Sequence, residues 1–207
     1  MHENTFIPYL GSHEADAILS HPGATGQYAL PFLATNGATP VSPLQPFSTA
    51  LLQHALHGVD LHFSLDRDGD PVTVFAEDDL PGDLLCWYLI AGEDKDIFRL
   101  LCTVDPTIPQ SKWRSALLAI NEFQGTCRAG RGYLEIKDGQ AKARVYFEAL
   151  LDCAEGITEA SLQRFIMLNL YAAHLFFMKL SRQKLLHPAR PRNRRKTTRK
   201  QEVFQND

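Results

Sequence analysis

Two Asp-Gly turns, Asp68-Gly69 and Asp138-Gly139, constrain the fold of this chain more than any other feature. Each turn lies between strand-like stretches, and these are 59–65, 72–75, 132–136 and 141–151. Apolar and polar residues alternate in the longest of them, as in a strand with one buried face, and Asp-Gly is a preferred sequence for a tight hairpin turn. The sequence therefore predicts two β-hairpins and antiparallel pairing.

Two more strands and three helices complete the predicted order. The run Leu84–Ala91 is apolar without interruption, which is typical of a strand covered on both faces, and 97–104 is predicted as the strand after it. Helices are predicted at 47–56, capped by Ser48, from Pro109 to 124, and from Thr158 to 180. In the second helix the predicted apolar stripe is Trp113, Leu117 and Ile120. We therefore expect an α+β fold, an antiparallel sheet of about five or six strands with helices on one face.

The last predicted helix is apolar around most of its circumference. Such a helix must be covered on more than one side, and packing on a sheet covers one side only. A second subunit or the N-terminal segment would cover the other. We therefore expect a homodimer whose interface includes Leu168, Tyr171, His174 and Leu175.

Charge divides the chain into an acidic body and a basic tail. Residues 1–178 contain 11 Lys and Arg against 22 Asp and Glu, whereas 179–207 contain 10 against 2. The densest part of the tail is formed by Arg190, Arg192, Arg194, Arg195, Lys196, Arg199 and Lys200. Such an arm can neutralise nucleic-acid phosphates or another anion, and it can equally serve to solubilise the chain or fold back on its acidic body.

Three regions follow from these patterns. Residues 1–46 hold half of the 12 prolines, and we expect this Pro/Gly-rich segment to pack on the domain formed by 47–180. Residues 181–207 are expected to be a disordered tail. The N-terminus lacks the pattern of a signal peptide, and the longest apolar stretch, 165–180, is too short for a membrane span, so we expect a cytoplasmic protein.

No motif for catalysis or for cofactor binding stands out. An apparent calcium loop beginning at Asp66 has Pro71 where the sharp turn needs glycine, and the glycine-rich stretch 125–132 lacks the Lys-Ser/Thr of a phosphate loop. His54, His57 and His62 lack further ligands at metal-binding spacing, and the four cysteines form no C-x-x-C pair, so we expect free thiols. We expect no catalytic, metal or cofactor site.

Four stretches carry a family resemblance: ALLAINEF at 116–123, GYLEIKDG at 132–139, VYFEALL at 145–151 and GITEASL at 156–162. In this order they resemble the YbjN family of bacterial proteins, which are described as candidate sensory transduction regulators with a type III secretion chaperone-like fold. Asn121, Gly139, Thr158 and Glu159 occupy the family's helix-end, turn and helix-start positions. The resemblance implies a non-enzymatic α+β module that binds protein and often dimerises.

The leading hypothesis is thus a bacterial protein-binding or chaperone-like regulator with an unidentified protein partner. An adaptor that binds an anion or nucleic acid through the basic tail is the alternative, and an enzyme assembled from scattered residues is the third.

Overall fold

The computed structural model describes residues 43–76 and 80–186, which form three α-helices and seven strands. The helices are α1 (Thr49–Gly58), α2 (Trp113–Thr126) and α3 (Glu159–Arg182). The strands are β1 (Ser64–Leu65), β2 (Pro71–Phe75), β3 (Leu84–Ala91), β4 (Ile97–Val104), β5 (Ile108–Pro109), β6 (Arg131–Glu135) and β7 (Lys142–Asp152). Residues 1–42 of the predicted N-terminal segment 1–46 lie outside the described residues, as do 187–207 of the predicted tail 181–207, which include every basic residue from Arg190 to Lys200.

All strand pairs are antiparallel, as the two Asp-Gly turns predict. The main order is β1-β2-β3-β4-β7, and β5 and β6 both pair with β7. Gly69 and Gly139 have φ of 87° and 73°, the left-handed conformation that favours glycine in tight turns. The expected α+β fold with an antiparallel sheet is confirmed.

The helices pack on one face of the sheet, called here the inner face. α3 contacts β4 and β7 and has α1 and α2 at its sides. Aromatic rings fill the space between α3, α2 and the sheet. Phe176 of α3 packs against Phe123 of α2 and Phe147 of β7, with ring centroids 5.2 and 5.9 Å apart. The inner face contributes the buried residues Leu84, Cys86, Tyr88, Phe98, Leu100, Cys102, Val104, Val145, Phe147 and Ala149. Much of the apolar circumference of α3 is therefore covered by the sheet and the two helices beside it.

Helix starts follow the predicted caps. Ser48 accepts a hydrogen bond from the backbone N–H of Leu51 at 3.2 Å, and Thr158 accepts one from Ser161 at 3.1 Å. Each side-chain oxygen satisfies an amide that has no partner within its own helix. Both residues are therefore helix caps, as predicted.

The strand predicted at 59–65 is wrong over most of its length. The chain leaves α1 through a Schellman turn, in which Leu61 N–H donates to the Leu56 carbonyl at 3.0 Å and Asp60 N–H donates to that of His57 at 3.0 Å. Asp60 takes the left-handed position with φ of 57°, and Leu61 is buried against the core. The alternation of apolar residues in this stretch reflects the turn by which the chain leaves α1, and it does not mark a strand. Only Ser64–Leu65 pairs with β2.

The start and phase of α2 also differ from the prediction. Pro109 pairs with Lys142 in β5, a 3₁₀ turn follows at Gln110–Lys112, and the α-helix begins at Trp113. The buried stripe consists of Ala116, Ala119, Ile120 and Phe123, and Leu117 is exposed. Two small alanines face the core while the leucines face outward, so the positions of the leucines do not show which face of this helix is buried.

Gly132 has room for hydrogen only. A Cβ built there would overlap the ring of Phe176, which is fully buried and cannot move aside. We expect Gly132→Ala to reduce the free energy of unfolding by about 1–3 kcal/mol, the usual cost of overpacking. Gly125→Ala is the matched control, because nothing lies within 4 Å of its Cβ position. Urea unfolding that finds equal stability for the two variants would contradict the close packing.

Tyr88 makes stability depend on alkaline pH. Burial raises the pKa of its phenol well above the ordinary value of about 10, the charge of Cys86 adds to this, and the hydrogen bond with Thr73 opposes it. Below pH ~10 the phenol is neutral in both states; above it only the unfolded chain ionises, so stability falls as pH rises. We expect Tyr88→Phe to remove up to about 1.4 kcal/mol per pH unit from that slope.

Thr73→Val is the control for this measurement. It removes the 2.9 Å hydrogen bond to the Tyr88 hydroxyl while leaving the phenol in place. The variant should lose stability at every pH yet keep the alkaline slope. Chemical unfolding between pH 10 and 11 measures how the free energy of unfolding changes with pH. If Tyr88→Phe and the wild type showed the same change, the loss of stability at alkaline pH would be due to other groups.

Candidate protein-binding face

The second face of the sheet, called here the open face, carries the other half of the strand side chains. In the described part of the chain the helices pack on the inner face, and the residues that point away from them are half-buried or exposed, apart from Thr103 and Glu148. The open face comprises Val72, Val74, Leu85, Trp87, Leu89, Arg99, Leu101, Thr103, Arg131, Tyr133, Tyr146, Glu148 and Leu150, with Ile97, Glu135, Lys142, Arg144 and Asp152 at its margins.

Strand register arranges these side chains in rows across five strands. One row runs Val72, Trp87, Leu101, Glu148 and Arg131, and the next runs Val74, Leu85, Thr103, Tyr146 and Tyr133. Residues that are direct partners across strands lie about 4.5–5.5 Å apart and touch through their side chains. The rows therefore form a continuous surface of aliphatic and aromatic groups with one polar centre, which lies on β4, β7 and β6.

A buried carboxylate and two arginines form that centre. Glu148 is 4% exposed, and its Oε1 lies 2.7 Å from Nε of Arg99 on β4. Its Oε2 accepts hydrogen bonds from Nε and Nη2 of Arg131 on β6, at 2.8 and 2.5 Å. A buried carboxylate is stable only when its charge and its lone pairs are satisfied, and this one has both arginines. The cluster ties β4, β7 and β6 together.

Two tyrosines stack beside the cluster. The rings of Tyr133 and Tyr146 are 5.5 Å apart at 24°, and the Tyr146 hydroxyl donates to Glu135 at 3.4 Å. Burial raises the pKa of Tyr133, and the Glu148 charge adds to the rise, while Arg99 acts against it. The Tyr133 phenol is therefore neutral at physiological pH, so it offers a flat ring and a hydroxyl for contact.

The two sheet edges are less accessible than the open face. At one edge, the Gly132 carbonyl of β6 accepts a hydrogen bond from the Gln124 side chain at 3.0 Å. At the other, β1 has only two residues. Short or occupied edges discourage the addition of a partner strand, so the arrangement favours contact through the face.

The predicted interface residues lie on α3, in the other layer of the fold. Leu168 is exposed, Tyr171 and Leu175 are half-buried, and His174 is buried. They do not meet the open-face residues. The proposed dimer contact on α3 thus stays a prediction that rests on Leu168 and its neighbours.

The remaining sequence motifs form no reactive cluster. Residues 66–70 make a hairpin turn in which Asp66 accepts from the amides of Asp68 and Asp70, both at 3.0 Å. His54 pairs with Glu159 of α3 at 2.9 Å. All four cysteines are free. Among the described residues no group of three or more His, Cys, Asp or Glu could hold a metal ion, and none of the helices found there is long and apolar enough to cross a membrane.

Sequence reasoning missed the open face, although one signal pointed to it. The run Leu84–Ala91 predicts cover on both faces, yet its outward half, Leu85, Trp87 and Leu89, is only half-buried. The expectation of cover on both sides is thus met on the inner face alone by the described residues. Glu148 also stands in the outward series of β7, where the alternation along the strand offers no reason to expect a buried charge.

Comparison with known proteins identifies the fold. No family model matches the chain, and no curated protein matches its sequence. The crystal structure of YbjN from E. coli, described as a candidate transcription regulator, superposes with a TM-score of 0.59 at 11% identity, over 70% of this chain and 100% of that one. The chain therefore has the fold of YbjN, as the resemblance in its C-terminal half implies.

Glu148 should matter more to stability than Arg131, the more exposed of its two arginines. Glu148→Ala leaves Arg99 half-buried without its counter-ion, and we expect a loss of about 1–3 kcal/mol in the free energy of unfolding. Arg131→Ala should cost less than about 1 kcal/mol, because that side chain is 66% exposed, so water can take its place at Oε2 of Glu148 while Arg99 keeps its ion pair with Oε1. Equal losses in urea unfolding would show that the cluster does not depend on burial of the carboxylate.

Proposed function

We propose that this chain is a non-enzymatic, chaperone-like regulatory module that binds protein through the open face. The observation that carries the proposal is the outward half of β3, where Leu85, Trp87 and Leu89 lie half-buried in a strand whose composition calls for cover on both faces. Residence in the bacterial cytoplasm and a homodimeric state belong to the same proposal.

The chemistry of the face supports a protein as its ligand. Trp87, Tyr133, Tyr146 and two arginines are residue types that are enriched in protein interfaces and that dominate binding energy. Glu148 holds the arginines in place before any partner arrives, so little side-chain entropy is lost on contact. A regular sheet surface also suits an extended or flat partner better than a small molecule, which needs a concave site.

Likeness of fold gives further support. YbjN is described as a candidate transcription regulator, and a regulator acts by contacting other macromolecules. At 11% identity the likeness concerns the fold, so the regulatory role of this chain stays part of the proposal.

The second candidate is an adaptor that binds an anion through the basic tail. It is favoured by the density of charge in 179–207, with 10 Lys and Arg against 2 Asp and Glu. Binding of this kind weakens steeply with salt, whereas binding through an apolar face does not.

Co-purification tests the proposal. The tagged full chain, expressed in its native cells, should retain a specific protein, and Val74→Glu with Leu150→Glu should abolish that retention, because the new charges would be desolvated against an apolar partner. Leu118→Glu on α2 is the matched control, since Leu118 is equally exposed on the opposite layer. Retention unchanged by the open-face variant would refute the proposal. Retention of nuclease-sensitive material that is lost when Arg190 to Lys200 are neutralised would favour the adaptor.

A further inference from the structure

We propose that the open face is where two copies of this chain meet, sheet against sheet, in a four-layer dimer with helices on both outer sides. This inference rests on the proposed function and identifies the protein that the open face binds as a second copy of the chain. It also places the dimer contact on the sheet and not on the α3 surface around Leu168.

Charge balance favours a second copy. A surface that meets itself doubles any net charge that it carries, so it must be nearly neutral. Residues 1–178 hold a net charge of −11, yet the outward strand positions of the sheet are nearly balanced. Their cations are Arg99, Arg131, Lys142 and Arg144, and their anions are Glu135, Glu148 and Asp152. Two copies of this acidic chain therefore meet little like-charge repulsion when they approach through this face.

The size of the face is also what a dimer needs. Five strands about 4.8 Å apart are roughly 24 Å wide, and β2, β3, β4, β7 and β6, with 5, 8, 8, 11 and 5 residues, are on average roughly 24 Å long. The flat footprint is thus roughly 600 Å², and side-chain relief adds to it, which brings it near the ~800 Å² that each partner buries in a standard interface.

Sheet-on-sheet packing explains the side chains present. Two sheets stack about 10 Å apart when aliphatic and aromatic residues interdigitate between them. Trp87 and Leu101 are neighbours in the central row and would become fully buried. The arginines would enter the interface with Glu148 already compensating them, so the contact would not bury an isolated charge.

The oligomeric state of the full chain tests the inference. Sedimentation velocity from ~1 to ~100 µM should show a dimer for the wild type. Leu150→Glu and Val74→Glu, at positions 52% and 45% exposed, should each raise the dimer dissociation constant at least ~100-fold, because a two-fold contact meets the new charge twice. Leu118→Glu, at a position 57% exposed on α2, should leave the dimer intact. Circular dichroism melts establish that every variant is folded.

Trp87 gives an independent readout. In a Trp113→Phe background it is the one tryptophan of the chain, and acrylamide quenching of its fluorescence should rise when the wild-type dimer is diluted to monomer. In the Leu150→Glu variant quenching should be high at all concentrations.

The modes of failure are distinct. A chain that stays monomeric to ~100 µM overturns the inference, and co-purification of another protein through the open face would still uphold the proposed function. A dimer that survives both open-face variants and is lost in Leu168→Glu overturns the inference and moves the contact to α3. A monomer that also retains no partner overturns both.

Discussion

One layer of helices can bury only one face of a sheet, and the rest of this structure depends on that limit. Strand side chains alternate, so α1, α2 and α3 cover the series that includes Cys86, Leu100 and Phe147 and leave the opposite series to other contacts. A 24-residue helix is about 36 Å long, close to the ~37 Å of the 11-residue strand β7. α3 is therefore about as long as the longest strand of the sheet on which it packs.

A charged cluster lies among the aliphatic and aromatic residues of the open face, and its composition has a physical reason. A buried carboxylate among apolar residues would destabilise the sheet unless both of its oxygens were satisfied. Arg99 and Arg131 approach Glu148 from the strands on either side of β7, so strand register itself supplies an ion pair at Oε1 and two hydrogen bonds at Oε2. A slip of one residue in either pairing would remove an arginine to the inner face. The cluster thus stabilises one register at the same time as it shapes the surface.

Features set by short stretches of sequence could be predicted, and those set by register could not. Hairpins at Gly69 and Gly139 and caps at Ser48 and Thr158 depend on residues within four positions of each other. The exit of α1 differs from its prediction because Asp60, not glycine, holds the left-handed position. The rows of the open face include partners that lie 51 positions apart, such as Arg99 and Leu150, and no periodicity within one strand reveals which residues will be partners.

The two ends of the described chain leave from opposite ends of the sheet. Gln45 pairs with Ile157, which follows the last residues of β7. At the other end, the Lys184 carbonyl accepts a hydrogen bond from Lys112. Lys112 follows β5, and β5 pairs with the first residues of β7. The length of β7 separates the two points by roughly 35 Å. Leu44 and Lys184 are exposed and lie near these two points. A pair of labels at these residues would therefore measure the length of the sheet in solution.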